Sequence, residues 1–416
     1  MKENKCVEYK EKVTNTFLKT VSAFANYNGG TIIFGIDDDG TVTGIEEPDK
    51  ARLDIENRIN DSISPQPDYD LEVTSENTVV LTVFAGSKKP YLYKSKAYKR
   101  NDTATIEVDT VELTRLILEG SNQRYEELPS NDQKLTFSIL EEKLIAEAGI
   151  ESCDSNVLKT LGLYTDKEGY NNAAALLADR NAYPGIDIGK FGGSISIIQK
   201  RKTYEHMSIL SVYDSACEMF RDYYQYEIIE GNARKTKEMI PEEAFRETIA
   251  NALIHRFWDV SDQIRVFMFD DKIEVYSPGG LPAGLSKEEY LSGNISRLRN
   301  PVISNVFYRL KLVEIFGTGI RRIKETYGKS VSKPEFDVYD NSIKVTLPLL
   351  ESADDLDADA AIVYSALSRE SGKSISDIMK SVPFGKSKTR VILNDLISDK
   401  FVYVSGGGRG TKYHKR

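Results

Sequence analysis

Three groups of residues in this chain have the types and spacing to do chemistry. The first stands at its start, where Glu3, Glu8 and Lys10 fall in Glu3-Asn-Lys-Cys-Val-Glu8-Tyr-Lys10, with Asp37-Asp38 following an apolar run that ends in Gly35-Ile36. In an extended segment Glu8 and Lys10 project to one face, because side chains alternate. Asp38, at the end of the neighbouring apolar strand, is expected to reach that face. Such oxygen ligands (Glu3, Glu8, Asp38) suit Mg²⁺ or Mn²⁺, which activates water and neutralises charge at a phosphodiester. Lys10 would hold the phosphate as a point charge. The same residues admit a plainer reading: a surface Glu8–Lys10 ion pair worth under ~1 kcal/mol, and a hairpin turn at Asp37-Asp38-Asp39-Gly40.

The second group is Glu247, Asn251 and His255, which at a spacing of four stack along one face of a helix. That helix is expected to begin at Pro241, with two glutamates in its first turn. Downstream lie Ser277-Pro-Gly279-Gly280 and Gly317-Thr-Gly319. Glycines let a backbone approach phosphate closely, and a following helix N-terminus adds a favourable dipole.

The third group is basic. Lys88, Lys89, Lys94, Lys96, Lys99 and Arg100 interleave with Tyr91, Tyr93 and Tyr98. Lysines contact phosphates and tyrosines stack on bases, unless the tyrosines pack into their own core. Near the C-terminus, Lys386, Lys388, Arg390, Arg409 and Lys412 belong to a stretch, 373–416, whose ten Lys/Arg outnumber three Asp. That stretch is strongly cationic in a chain of net charge −9, so polyanion binding would be local.

These residues need scaffolds. With 416 residues, 40% apolar and 29% charged, the chain has material for two to four cores. No apolar run approaches the ~20 residues of a membrane span, and the charged start lacks a signal-peptide core, so no membrane partner is expected. Cys6, Cys153 and Cys217 are few and scattered, which suits a cytoplasmic setting and excludes a zinc finger. The only histidines are His206, His255 and His414, too few for a histidine-rich metal site.

Val13, Phe17, Val21 and Phe24 recur at helical spacing, and Asn28-Gly29-Gly30 ends that helix. Residues 31–36 then read as an apolar strand, 71–75 and 78–84 as paired strands, and 91–106 as a hairpin carrying the basic run. A helix over 111–118 closes the region, and 121–133 reads as a polar linker. Further on, helices over 137–148, 171–178 and 211–224 surround a strand at 193–198. Strands at 263–269 and 272–276 hinge at Asp270-Asp271. Residues 352–360 form an acidic linker. The last 56 residues read as helix, helix, helix and hairpin, with Val391, Leu393, Leu396 and Ile397 buried.

The first group, together with Ser22-Ala-Phe-Ala-Asn26-Tyr-Asn-Gly29-Gly30, resembles the Schlafen/AlbA_2 domain. The resemblance implies nucleic-acid binding or, as in Schlafen nucleases, metal-dependent cleavage by Glu3, Glu8 and Asp38 with Lys10. Glu243-Ala-Phe-Arg-Glu247-Thr-Ile-Ala-Asn251-Ala-Leu-Ile-His255 resembles the N-box of the GHKL ATPases. With the two glycine boxes and Arg299-Asn300-Pro301 as a lid, it is most like the RecG C-terminal type. That resemblance implies ATP bound by Glu247, Asn251, His255, Gly279, Gly280, Gly317 and Gly319, with Asn251 on Mg²⁺ and Glu247 orienting water. Ser277-Pro278 replaces the family's adenine-reading aspartate. The C-terminal segment looks like a winged helix, with a recognition helix for the major groove and a wing tip at Gly406-Gly-Gly-Arg409-Gly410.

The expectation is an α+β chain of three domains: an AlbA_2-like α+β domain (1–120), a GHKL-like α/β sandwich (134–350) and a winged helix-turn-helix (361–416). The functional readings are an ATP-responsive, homodimeric regulator that binds DNA or RNA, an Mn²⁺- or Mg²⁺-dependent endonuclease acting on structured RNA, and a non-catalytic scaffold.

Overall fold

The computed structural model describes residues 3–415 apart from 38, 231–232, 283, 294–296, 315–316, 329, 331, 351–355, 369–370 and 400, and apart from the side chains of 230, 233 and 409. The fold is α+β, in two compact units, Met1–Leu128 and Pro129–Arg416. The division falls inside the segment read as the first linker.

In the first unit the helix Phe17–Asn26 buries nearly every residue, including Phe17, Leu18, Val21 and Phe24. Each such side chain contributes about 1.5–3 kcal/mol of transfer free energy. The helix ends because Gly29 takes φ +73. Gly30 must also be glycine, since a Cβ there would stand 2.6 Å from the Phe24 ring. The strand Gly30–Phe34 pairs in parallel with Val7–Lys10, placing Glu8 opposite Ile32 and Lys10 opposite Phe34. The intervening helix supplies the crossover that a parallel pair needs. Antiparallel Val79–Val83 and Tyr69–Val73 complete the four-stranded sheet.

The segment 91–106 is not one hairpin. Leu92–Tyr93 pairs with Ile63–Ser64, and the hairpin is Tyr98–Asn101 with Ala104–Glu107, turning at Asp102. Tyr91, Tyr93 and Tyr98 are buried in the core. The plainer reading of these tyrosines is therefore correct, and they are not free to stack on bases.

The second unit is built on a six-stranded sheet. Its order is Ile198–Tyr204, Ile186–Phe191, Ile264–Met268, Lys272–Pro278, Ser342–Pro348 and Glu335–Val338. Only the pair of Ile186–Phe191 with Ile264–Met268 is parallel. Helix Glu242–His255 packs against the sheet and against helices Ile209–Tyr224 and Gly319–Thr326. Phe220 and Phe245 stack at 4.5 Å in that layer. Pro241 precedes the helix as its cap rather than opening it. Of the strand expected at 193–198, residues 193–197 are instead the connection between two strands, with Ile195 and Ile197 exposed, and Ile198 opens the second strand.

The C-terminal residues have a core of their own, which includes Val363, Ile378, Leu393, Leu396 and Val402. Helices Ala358–Ser365, Ile375–Met379 and Lys386–Ser398 precede the hairpin Val402–Ser405 with Lys412–Lys415, and Lys373 bridges to Tyr413 as a short third strand. Asp357 caps the first helix and Ala360 is buried, so residues 357–360 of the segment read as a linker belong to that helix, while 352–355 lie outside the described residues. Ile392, not Val391, faces this core, and Val391 is 58% exposed.

Candidate nucleotide cleft and nucleic-acid surfaces

Helix Glu242–His255 carries three of the candidate nucleotide residues, and the fold brings a fourth to them. Asn251 donates its Nδ2–H to Glu247 Oε1 over 3.0 Å, one turn back. Gly319 opens its helix against this pair: a Cβ there would stand 2.4 Å from Glu247 Oε1 and 2.8 Å from Asn251 Nδ2. Burial raises the Glu247 carboxyl above its usual range, while the Asn251 hydrogen bond and the Arg322 charge oppose the rise. Arg322 reaches Glu247 Oε2 at only 4.0 Å. The amide oxygen of Asn251 is not used in its bond to Glu247, so a hard oxygen donor sits beside a carboxylate at a helix N-terminus. This donor set fits a divalent cation carried on a phosphate.

His255 lies one turn beyond Asn251 and lines the same cleft. Burial first, and then the Arg299 charge, lower its pKa to about 4, so the imidazole is neutral at pH 7. Arg299 donates to the carbonyl of His255 and, over 2.7 Å, to that of Gly280. Its guanidinium also lies 3.8 Å from the Phe257 ring centroid. Asn300 is buried and donates to the carbonyls of Ile254 (2.7 Å) and Arg256 (3.0 Å). Of these two residues, expected in a lid, Arg299 joins the first glycine box to the helix end and Asn300 holds the helix end alone. Gly279 packs at φ +106 against Arg299 and Phe257, where a Cβ would approach both to 2.8 Å.

The cleft between these parts is lined by apolar residues, among them Val275, Ile320, Ile343 and Val345, and by Gly317 and Gly319. An apolar slot with a few convergent polar groups is the usual form of a small-molecule site. Sequence reasoning missed Thr248, Tyr290 and Arg297 as members of this lining, while Ser277 belongs to the first glycine box it had singled out.

In the first unit Glu8 is buried between two cations. Lys10 Nζ approaches Oε1 at 2.6 Å, and Arg100 bonds Oε2. Arg100 also donates to Thr105 Oγ1 (2.9 Å) and to the carbonyl of Asn4 (3.2 Å). Glu3 Oε1 accepts the backbone N–H of Tyr9 at 2.8 Å. Asp38 lies outside the described residues. Among the described residues no group of three or more His, Cys, Asp or Glu is placed to hold a metal. Asn26, part of the Ser22–Asn26 motif, clamps the backbone of Tyr91, accepting its N–H (2.7 Å) and donating to its carbonyl (2.9 Å).

The basic run of this unit is largely committed to carboxylates. Lys89 pairs with Glu119 (2.7 Å), Lys96 with Glu107 (2.7 Å), Lys99 with Glu112 (2.5 Å) and Arg100 with Glu8. Lys94 lies over the Tyr93 ring at 5.3 Å, and Lys88 has no ion pair among the described residues. In the C-terminal part of the second unit, Lys386, Lys388 and Arg390 are exposed on the first turns of helix Lys386–Ser398. Lys388 pairs with Asp359 at 2.5 Å. Val391 and Asn394 continue the exposed face. Lys412 is exposed in the hairpin, and the side chain of Arg409 lies outside the described atoms.

Comparison with known proteins accords with this division. Residues 3–109 match the Schlafen, AlbA_2 family model, and residues 261–347 match that of the ATP-dependent DNA helicase recG C-terminal family. The chain therefore carries a Schlafen/AlbA_2 domain and a RecG-C-terminal-type ATPase-like domain. These domains associate it with nucleic acids and with nucleotide and divalent-metal use in general. No protein of curated function matches the sequence. Among solved structures, the DIP2311 protein of Corynebacterium diphtheriae has a similar fold, with TM-score 0.51 at 20% identity, over 99% of this chain and 92% of that one. No helix among the described residues is long and apolar enough to cross a membrane.

Proposed function

We propose that this protein is a nucleic-acid-binding regulator whose ATPase-like domain responds to ATP with Mg²⁺. The observation that carries the reading is the meeting of Glu247, Asn251 and Gly319 at the start of helix Gly319–Thr326. Backbone N–H groups at a helix start bind phosphate, and the Asn251 amide oxygen is the ligand for its Mg²⁺. The C-terminal part of the second unit, from Asp357 on, is the DNA reader, a winged helix whose Lys386–Ser398 helix enters the major groove, with Lys386 and Arg390 on phosphates. Its test pairs two measurements: the melting temperature with and without Mg²⁺–ATP, and duplex DNA affinity under the same two conditions. A nucleotide-induced rise in melting temperature together with a changed DNA affinity supports the regulator. No thermal shift at millimolar ATP removes the nucleotide from the account.

The second reading, RNA cleavage by Glu3, Glu8 and Asp38, is disfavoured by one contact set. Both oxygens of Glu8 already face cations, Lys10 and Arg100, so a metal would have to displace them. The nuclease reading requires tRNA cleavage by the parent protein with Mn²⁺ and none by Glu8→Ala at equal RNA binding.

A further inference from the structure

Helices Ile209–Tyr224 and Glu242–His255 also wall a second cavity, of about 590 Å³, which shares no lining residue with the cleft. Its volume lies in the ~300–1,000 Å³ range of small-molecule sites. Leu312 and the buried Cys217 are its apolar part. Burial pushes the Cys217 thiol up to about 11, so the sulfur stays protonated at pH 7 and supplies no nucleophile. The rest of the lining is polar or charged, and most of its charge is already matched. Lys143 pairs with Asp214 at 2.7 Å. Arg221 pairs with Glu242 at 2.8 Å, and the other oxygen of Glu242 accepts from Gln225 at 2.6 Å. Arg246 is held differently: its Nε donates to the hydroxyl of Tyr213 over 3.0 Å, and Tyr213 is 2% exposed. A buried group thus fixes the guanidinium at its root, and no carboxylate pairs with it among the described residues. Glu218 likewise has no ion pair among the described residues. Arg246 and Glu218 are both solvent-exposed, so a ligand can reach them, and Ser215 adds a neutral hydroxyl.

We infer that this cavity binds a small zwitterion, a free amino acid being its simplest form, with the carboxylate on Arg246 and the ammonium facing Glu218. The two lining charges left unpaired are of opposite sign, and a ligand carrying both signs satisfies each. A guanidinium takes a carboxylate through two parallel N–H bonds, and the bond to Tyr213 uses only Nε, which leaves Nη1 and Nη2 for them. Neither existing ion pair has to open. A simple anion is repelled by Glu218 and a simple amine by Arg246, so each binds less well than the molecule that joins the two groups. The site is independent of the nucleotide reading, because Arg246 turns toward Tyr213 while its neighbour Glu247 turns toward Gly319.

The test is a melting-temperature screen of the full chain against each standard amino acid at millimolar concentration. Acetate, methylamine and inorganic phosphate serve as single-charge probes. At least one amino acid is expected to raise the melting temperature by binding the native state, and the three single-charge probes are expected to raise it less. Arg246→Gln and Glu218→Gln are each expected to weaken that amino acid at least tenfold in a calorimetric titration. Both positions are exposed, and circular dichroism of each variant without ligand checks that it folds. No shift with any amino acid overturns the inference. A shift from acetate or phosphate as large as that from the amino acid also overturns it, since an anion contact alone then accounts for binding. Affinity unchanged in both variants places the ligand elsewhere and overturns it as well.

Discussion

Asn251 and Glu247 are joined by a 3.0 Å hydrogen bond across one helical turn, and Gly319 closes over both. A raised carboxyl, an amide oxygen not used in its bond to Glu247 and a backbone helix start thus occupy one corner of the cleft. Asn251→Ala removes the amide that opposes the upward shift of Glu247. It is expected to cost about 1 kcal/mol in urea unfolding and to abolish the Mg²⁺–ATP rise in melting temperature.

Gly319→Ala tests the same corner by space rather than chemistry. The new methyl meets Glu247 Oε1 at 2.4 Å and Asn251 Nδ2 at 2.8 Å, so those side chains must move. The expected outcome is a folded protein, judged by circular dichroism, whose nucleotide affinity falls at least tenfold. Unchanged affinity would separate Gly319 from the phosphate end.

His255 gives the fold a pH dependence. Its pKa falls from 6.5 to about 4 on folding, chiefly through burial and secondarily through Arg299. Between those values the unfolded chain binds more protons, so stability is lost as pH falls from 6.5 towards 4. The full span is worth about 3 kcal/mol. Urea unfolding of the parent minus that of His255→Gln, followed over this window, is expected to show this slope.

Arg100 and Glu8 are buried against one another. Arg100→Met leaves the carboxylate with Lys10 as its one cation and is expected to cost about 3 kcal/mol in urea unfolding. Adding Glu8→Gln is expected to recover most of that loss. If the double variant is as unstable as the single, packing of the arginine stem rather than charge accounts for the effect.

On the C-terminal helix, Lys386 and Arg390 are exposed cations without an ion pair among the described residues, whereas Lys388 is held by Asp359. The double change Lys386→Ala with Arg390→Ala is expected to weaken duplex binding. It should also flatten the plot of log affinity against log salt by about 1.8, the value for two phosphate contacts. Lys388→Ala alone is expected to change that slope less.

Local geometry made part of this protein legible in its sequence. The spacing of four put Glu247, Asn251 and His255 on one helical face, and apolar periodicity placed helix Phe17–Asn26 before its glycines. What the tertiary structure decided was which partner each residue met. Arg100 stands 92 positions after Glu8, and Arg299 was expected in a lid because only its neighbourhood in sequence was visible. At 193–198 the alternation of Ser194 and Ser196 with Ile195 and Ile197 is what a half-buried strand would show, yet 193–197 form the connection between two strands, with Ile195 and Ile197 exposed. Val391 and Ile392 differ by one step of a helix, a phase set only by where the neighbouring helices lie. The tyrosines of the basic run were consistent with either stacking on bases or packing inside, and the core of the first unit claimed them. Spacing along the chain fixes a face, but long-range packing fixes what that face touches.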